Sequence, residues 1–200
     1  MEQIKVIQQL IQCFRKYPTI GYKTAERLAY ATLELTDEEK DIFIQSLTES
    51  KEVKKCPNCG MYYEDECPIC SDTNREQSLL LVVSSSKDIL SIEKTEVYHG
   101  RYFALNSTLS AIHNRTVEST LVNKLLELIK NDSNIKEVIL AIETSLEGEM
   151  TSSYIANHIS NKDIKVSRIA YGIPVGTSLE YLDQMTILQS IKGRTIIKKD

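Results

Sequence analysis

The sequence lacks several features that would assign the chain to a class at once. It has no run of about eighteen apolar residues, and no apolar stretch follows a basic segment near Met1, so we expect neither a membrane span nor a signal peptide, and a cytoplasmic protein. It also lacks an excess of positive charge, because 24 basic side chains face 28 acidic ones. The chain as a whole is therefore not a polycation that wraps nucleic acid. Low-complexity linkers and internal repeats are missing too.

Length and charge distribution indicate one main domain with smaller attachments. The 200 residues are 42% hydrophobic, which is enough to bury a sizeable core. Residues 1–33 carry five basic and two acidic side chains, whereas the remainder has a net charge of about −7. Any contact with DNA is therefore expected at a local patch in the N-terminal part.

Four of the five cysteines form two close pairs. Cys56 and Cys59 make one CxxC motif, Cys67 and Cys70 make the second, and seven residues separate them. In a cytoplasmic chain such pairs indicate a metal, and four thiolates suit one tetrahedral, structural Zn²⁺ per subunit with no open coordination position. A redox CxxC is the alternative, but it needs only one pair. Cys13 lies in an amphipathic pattern and is expected to be a buried structural thiol.

Helical periodicity dominates residues 1–53. Apolar residues at helical spacing predict a first helix that ends before Tyr17-Pro18, where proline disfavours helix in the preceding residue. A second helix is predicted over Lys23–Leu33, and Thr36 opens a third through a capping box. This part of the sequence predicts a small helical domain.

The turn between the first two helices has the sequence PTIGYKTA and resembles a helix-hairpin-helix. In that motif a glycine turn and the following helix N-terminus present amides to a DNA phosphate. Lys23 and Arg27 lie four residues apart and would extend the contact, although an ordinary helical hairpin with solvated charges fits this segment equally well. Thr19 stands where the motif usually has its first glycine.

After the cysteines the pattern changes to alternating strands and helices. Such alternation predicts an α/β fold with a parallel or mostly parallel sheet and covering helices. The predicted strands are Leu79–Val83, Tyr102–Leu105, Val138–Ile142 and Val166–Ala170, and the predicted helices are Lys87–Glu93, Val117–Lys130 and Glu149–Ile159.

The third strand leads into an acidic turn, Glu143 to Glu149, which contains the sequence EGE. Toprim domains of topoisomerases and primases look similar, and there several convergent carboxylates hold Mg²⁺. Ser84 and Ser145 stand at two positions where carboxylates are expected. We therefore predict that the chain is not an enzyme, and that Glu147 and Glu149 lie near a helix N-terminus, where the dipole favours them.

Hairpin, CxxC pairs and Toprim-like sheet occur in the order found in the RecR family, and the chain resembles that family over nearly its whole length. Specific strings carry the resemblance: IGYKTA with RLA, CPICSD, Asp88 with IEKT, YHGRY, EGEMT, YGIPVG, and LEY with Asp183. The resemblance implies a helix-hairpin-helix domain over residues 1–53, a four-cysteine zinc motif over 54–75, a Toprim-like domain over 76–172 and a C-terminal oligomerisation segment over 173–200.

The resemblance also implies a function. RecR-like mediators bind DNA, work with RecO and RecF, and help to load RecA recombinase at single-stranded gaps. Matched residue by residue, Lys23 and Arg27 correspond to the DNA-contacting positions, with Lys16 and Gly21 beside them. Glu147 and Glu149 correspond to the acidic face where RecO docks. A homo-oligomer, either a dimer or a ring-like tetramer, is implied as well.

Two alternatives remain open. The chain departs from the family at Thr19, at Ser84, at the pair Asn106-Ser107 and across residues 114–120. It could therefore be a divergent RecR-like paralogue that serves as a protein-interaction module without binding DNA. A Mg²⁺-dependent Toprim nuclease that uses Glu143 and the EGE carboxylates is the enzymatic alternative.

Overall fold

A computed structural model of the chain describes residues 4–161 and 163–197. Its contacts divide the chain into two compact units, Met1–Lys54 and Lys55–Asp200. Residues 198–200, the end of the predicted C-terminal segment, lie outside the described residues. None of the helices described is long and apolar enough to cross a bilayer.

The first unit is helical, as predicted. It contains α1 (Lys5–Phe14), α2 (Tyr22–Leu33) and α3 (Asp37–Glu49). The predicted capping box is present, because the Glu39 backbone N–H donates to Thr36 Oγ1 at 3.2 Å and the Thr36 N–H donates to Glu39 Oε2 at 2.8 Å. The buried core of this unit consists of Ile7 and Ile11 from α1 with Ala25 and Ala29 from α2.

The prediction for Cys13 is wrong, because its side chain is exposed. Residues four apart lie on one helix face, and Ile7 and Ile11 already occupy the face of α1 that packs on α2. Cys13 is two residues further along, which turns its side chain about 200° away from Ile11 at 3.6 residues per turn.

Two short strands that the sequence did not predict come next in the chain, β1 (Lys54–Lys55) and β2 (Tyr62–Tyr63). The larger sheet follows with β3 (Glu76–Val83), β4 (Gly100–Ala104), β5 (Glu137–Ala141) and β6 (Lys165–Arg168). Its helices are α4 (Ser86–Glu93), α5 (Val122–Asn131) and α6 (Leu146–His158), and the chain continues through a 3₁₀ turn at Leu179–Tyr181 into α7 (Gln184–Lys192).

The four strands of the larger sheet run in the order β4-β3-β5-β6, and every neighbouring pair is parallel. The predicted parallel sheet with covering helices is thereby confirmed. Leu81 in the central strand β3 is registered with Tyr102 on one side and Ile139 on the other. Parallel strands of this kind are buried on both faces, which explains why β3 ends in an unbroken apolar run.

Each face of the sheet packs against different elements. Leu80 and Val82 of β3 belong to a core cluster with residues of α5 and α6, including Leu125 and Ile155. Leu81 and Val83 point to the opposite face, since strand side chains alternate. They belong to a second cluster, which also contains Ile89 of α4, Tyr102 and Ala104 of β4, and residues of the cysteine segment.

Helix α5 begins five residues later than predicted. Residues Ser110 and Arg115 form an isolated antiparallel bridge. The Thr116 backbone N–H then donates to Ser119 Oγ at 2.8 Å, and the Ser119 N–H donates back to Thr116 Oγ1 at 3.4 Å. These side chains satisfy backbone groups that a helix would otherwise use, so the helix starts only at Val122.

Candidate metal centre and nucleic-acid interface

Each CxxC pair is held in a tight turn by backbone hydrogen bonds. The Gly60 N–H donates to the Cys56 carbonyl at 3.0 Å, and in the second pair the Ser71 N–H donates to the Cys67 carbonyl, also at 3.0 Å. Gly60 has φ +85, a left-handed conformation, and a Cβ there would lie 2.9 Å from the Cβ of Ala104. Both the turn and its close approach to β4 therefore require glycine.

The two turns bring the four sulfur atoms together. All four Sγ atoms lie within 4.8 Å of one another, with Cys56 to Cys70 at 3.7 Å and Cys59 to Cys67 at 3.5 Å. A disulfide would need about 2.05 Å, and the cysteines are free. A tetrahedral zinc ion with Zn–S bonds of about 2.3 Å separates its sulfurs by about 3.8 Å. The donor set and its spacing therefore fit a tetrahedral metal ion.

The thiols of this cluster differ in their affinity for protons. The hydrogen bond with Cys70 and burial raise the pKa of Cys59, and burial raises the pKa of Cys67. Hydrogen bonds from Cys59 and Cys56 lower the pKa of Cys70 to about 6. Because neighbouring thiolates repel one another, full ionisation of all four sulfurs needs a cation among them.

The cysteine cluster is also part of the second unit's core. Cys56, Cys59 and Cys67 are buried in the cluster on the α4 face of the sheet, while Cys70 is exposed. The Ala104 N–H donates to the Cys59 carbonyl at 2.9 Å, and the Ser86 hydroxyl donates to the Gly60 carbonyl at 2.5 Å. A metal bound here would stabilise the cover over one sheet face.

The predicted hairpin residues lie on the surface of the first unit. Lys23 and Arg27 are exposed on α2, on the side away from the buried Ala25 and Ala29. Lys16 is exposed in the turn after α1, where it lines a groove together with Tyr22. The structure therefore leaves all three predicted cations accessible.

The departure at Thr19 falls on a left-handed position of the turn. Thr19 has φ +67, in the left-handed region that favours glycine and is strained for a β-branched side chain. The chain thus retains the backbone conformation that a glycine would adopt without strain. Gly21 has an ordinary φ of −80 before α2, and a Cβ there would meet no atom within 4 Å.

The predicted acidic edge lies where β3 and β5 end and α6 begins. The Glu143 backbone N–H donates to Ser84 Oγ at 3.0 Å, so the serine joins the two strand ends. Ser145 caps α6, because its hydroxyl accepts the Gly148 N–H at 3.1 Å. A Cβ at Gly148 would lie far inside 3.0 Å of the Glu143 carbonyl oxygen, so the glycine lets α6 approach this turn.

Glu149 has partners that the sequence did not reveal. Arg168 donates through Nη1 to both carboxylate oxygens, at 2.8 and 2.7 Å, and the Tyr171 hydroxyl donates to Oε1. The Tyr171 hydrogen bond, followed by Arg168, lowers the pKa of Glu149. No ion pair involves Glu147 in the part of the chain that the structure describes. The two predicted docking carboxylates therefore differ in environment. The fold brings Arg168 to Glu149, and no local sequence motif indicates that pairing.

The carboxylates at this edge do not converge. Across residues 4–161 and 163–197, the four cysteines are the one group of three or more metal-ligating side chains close enough to share an ion. Glu143 Oε1 accepts from Thr108 at 3.4 Å, while Glu149 is turned to Arg168. Among the described residues, Glu143, Glu147 and Glu149 therefore do not form one such group.

Comparisons with known proteins agree with this architecture. Three family models match: the RecR helix-hairpin-helix over residues 7–51, the Toprim domain over residues 78–170 and the RecR C-terminal region over residues 172–195. The chain is 40% identical to the recombination protein RecR of Lacticaseibacillus casei over 98% of this chain and 99% of the relative. It is 41% identical to that of Oenococcus oeni, with 98% and 100% covered, and 42% identical to that of Bifidobacterium adolescentis, with 96% of each covered.

Proposed function

Because the chain belongs to the RecR family of recombination proteins, we propose that it is a DNA-binding scaffold of recombinational repair that makes and breaks no covalent bond. In this role it acts with RecO and RecF in the cytoplasm and helps to load RecA at single-stranded gaps. The observation that carries the proposal is the hairpin: three accessible cations surround a turn whose backbone conformation is retained despite Thr19.

The hairpin contacts the DNA backbone and not the bases. Lys23 and Arg27 lie one helical turn apart, so they reach successive phosphates along a strand, while Lys16 adds charge from the preceding turn. Gly21 leaves open space beside the first turn of α2, which lets a phosphate approach the backbone amides. Contacts of this kind give affinity without sequence preference, as a protein that acts at any gap requires.

The metal in the proposed assembly is one structural zinc ion per subunit, held by Cys56, Cys59, Cys67 and Cys70. Zinc bound to four thiolates supplies a fixed cross-link and no open coordination position. The sulfur spacing supports zinc. Because the cysteines belong to the core of the second unit, the cross-link would stabilise that core.

The contacts of the acidic edge support the proposal that the chain does not cleave or join DNA. Ser84 and Ser145 use their hydroxyls for backbone contacts, and Glu149 is bound to Arg168. The edge instead offers Glu147 and a partly neutralised Glu149 to a basic surface of RecO. Electrostatic complementarity of this kind guides association and specificity.

Self-association is supported by apolar surface in both terminal parts. Helix α3 has no buried residue, and Ile42 and Ile44 are 64% and 61% exposed. The C-terminal segment likewise exposes Leu179 and Tyr181. Contacts between copies of the chain would cover these exposed apolar side chains, so we assign them to the interfaces of a dimer or a tetrameric ring.

The deciding experiment measures binding of zinc-loaded protein to gapped and single-stranded DNA across a salt series, with oligomer mass from light scattering. The test variant is Lys23→Ala with Arg27→Ala, and the matched control is Lys94→Ala with Lys130→Ala, which removes two lysines elsewhere on the surface. Loss of two phosphate contacts should lower the salt slope on single strands by about 1.4.

Equal affinity in the two double variants would reject the hairpin as the DNA contact. Binding that is indifferent to salt, or no binding by a monomer, would favour the protein-interaction module. Mg²⁺-dependent DNA cleavage that disappears in Glu147→Ala would restore the nuclease alternative.

A further inference from the structure

A cleft with two lysines lies beside the cysteine cluster in the second unit. Its volume is about 200 Å³, and the Cys56–Gly60 turn, the end of β4 and the start of α5 surround it. We call it the knuckle pocket and define its polar lining as Lys55, Asn58, Asn106 and Lys124. The sequence did not indicate that these residues lie together, because they come from three separate segments.

The knuckle pocket has the chemistry of an anion site. Neither aspartate nor glutamate is among its lining residues. Lys55 Nζ donates to Asn106 Oδ1 at 2.7 Å, and Lys124 Nζ donates to the Pro57 carbonyl. Each ammonium group has three donors, so each keeps donors for a ligand while one hydrogen bond holds it at the pocket. Ordering of the lysines before binding reduces the entropy lost on binding.

An exposed aromatic ring stands next to these lysines. Tyr62 of β2 is 54% exposed, and Lys55 Nζ lies 5.3 Å from the centre of its ring. Proteins that bind single strands without sequence preference combine cations that follow the phosphates with aromatic rings on which bases stack. Tyr62 and the knuckle pocket juxtapose both elements.

We propose that the knuckle pocket is a second DNA contact, in which Lys55 and Lys124 bind a phosphodiester of a single strand and a neighbouring base stacks on Tyr62. The inference rests on the proposed function in that it assumes a DNA-binding protein, but it uses none of the hairpin residues. The competing explanation is that the two lysines only offset the cluster's charge, since one Zn²⁺ and four thiolates leave a formal charge of about −2.

The test uses full-length, zinc-loaded protein and a fluorescein-labelled oligothymidylate, with fluorescence anisotropy across a salt series. Lys55→Ala with Lys124→Ala should lower the salt slope by about 1.4, as expected for two phosphate contacts on a single strand. The control Lys94→Ala with Lys130→Ala should keep the parent slope. Zinc content is measured in every variant, so that loss of the metal is recognised.

Tyr62 gives a second readout that leaves both lysines in the chain, and Tyr62→Phe keeps the ring that Lys55 contacts. Its ring is exposed, so its substitution leaves the core intact. Tyr62→Ala should weaken binding about 5- to 150-fold, which corresponds to one stacked base. Tyr62→Phe keeps the ring and should bind within about twofold of the parent.

The outcomes separate this inference from the proposed function. If Lys23→Ala with Arg27→Ala weakens binding while the knuckle pocket and Tyr62 variants match their controls, the hairpin contact stands and the knuckle pocket is rejected. If the pocket variants lose affinity and the hairpin variant does not, the reverse holds. Thymidine monophosphate is also added as a competitor at the same phosphate concentration as the oligonucleotide. If it removes the share of the affinity that Lys55 and Lys124 contribute, the knuckle pocket is a site for free nucleotides and the inference is overturned.

Discussion

Replacing Gly148 by alanine should destabilise the protein, although alanine is the better helix former. Gly148 lies in the first turn of α6, and a Cβ there would lie far inside 3.0 Å of the Glu143 carbonyl oxygen and 2.9 Å from the Glu143 carbonyl carbon. The obstacle is backbone, so α6 or the turn after β5 must move. Both elements contribute to the core, through Ile155 and Ile142, and the core resists such a shift.

Two opposing effects set the size of the stability change caused by Gly148→Ala. Alanine favours a helix over glycine by about 1 kcal/mol, whereas forcing extra volume into a packed site costs about 1–3 kcal/mol and sometimes more. Because the obstacle is backbone, we expect the cost at the upper end and a net loss of about 2 kcal/mol. For a chain of this length that corresponds to a fall in Tm of about 4–8 °C.

The assay is thermal and urea unfolding followed by circular dichroism, with Gly172→Ala as the matched control. A Cβ at Gly172 would meet no atom within 4 Å, so this variant should unfold at the parent temperature or slightly above it. A Gly148→Ala protein as stable as the parent would refute the reasoning, because it would show that α6 does not need its close approach to Glu143. It would also mean that the EGE glycine has no packing role.

Three further predictions follow from other parts of the structure. Thr19→Gly should stabilise the hairpin by about 1 kcal/mol by relieving a left-handed threonine, measured as slower hydrogen exchange of the α1 and α2 amides; unchanged exchange would contradict it. A chelator or Cys67→Ser should lower the Tm of the second unit, whereas Cys13→Ser should leave it unchanged, because Cys67 belongs to the cysteine cluster and Cys13 does not. Elemental analysis should find about one zinc per chain. The hydrogen bond from Arg101 lowers the pKa of Asp132 below its usual 3.8. The ion pair should therefore stabilise the fold fully above pH 3.8, and this stabilisation should be lost as the pH falls through the pKa of Asp132 in the folded protein. Asp132→Asn should remove this part of the acid sensitivity, measured by urea titrations at a series of pH values.

Features that depend on neighbouring residues were predictable from the sequence. Each CxxC spacing closes a turn by a hydrogen bond between residues four apart, and the four cysteines lie together as the two pairs predicted. The Thr36 capping box depends on positions three residues apart, and it formed as predicted. The alternation of strands and helices predicted a parallel sheet because a short crossover helix leaves few other ways to pair successive strands.

Other predictions failed or remained incomplete because packing decided them. Cys13 is exposed because Ile7 and Ile11 face α2. Helix α5 starts late because Thr116 and Ser119 bond to each other's backbone, a local competition that apolar periodicity does not report.

By itself the sequence determined the four-cysteine cluster, the helical start of the chain with its basic hairpin, and the order of the strands and helices in the larger sheet, since local spacing and periodicity encode them. The tertiary structure alone decided which side chains from distant segments meet. It paired Glu149 with Arg168, 19 residues away, and so distinguished it from Glu147. It also placed Lys55 and Lys124 around one cleft, because contacts between segments depend on how the sheet and its helices pack, and no short pattern records that.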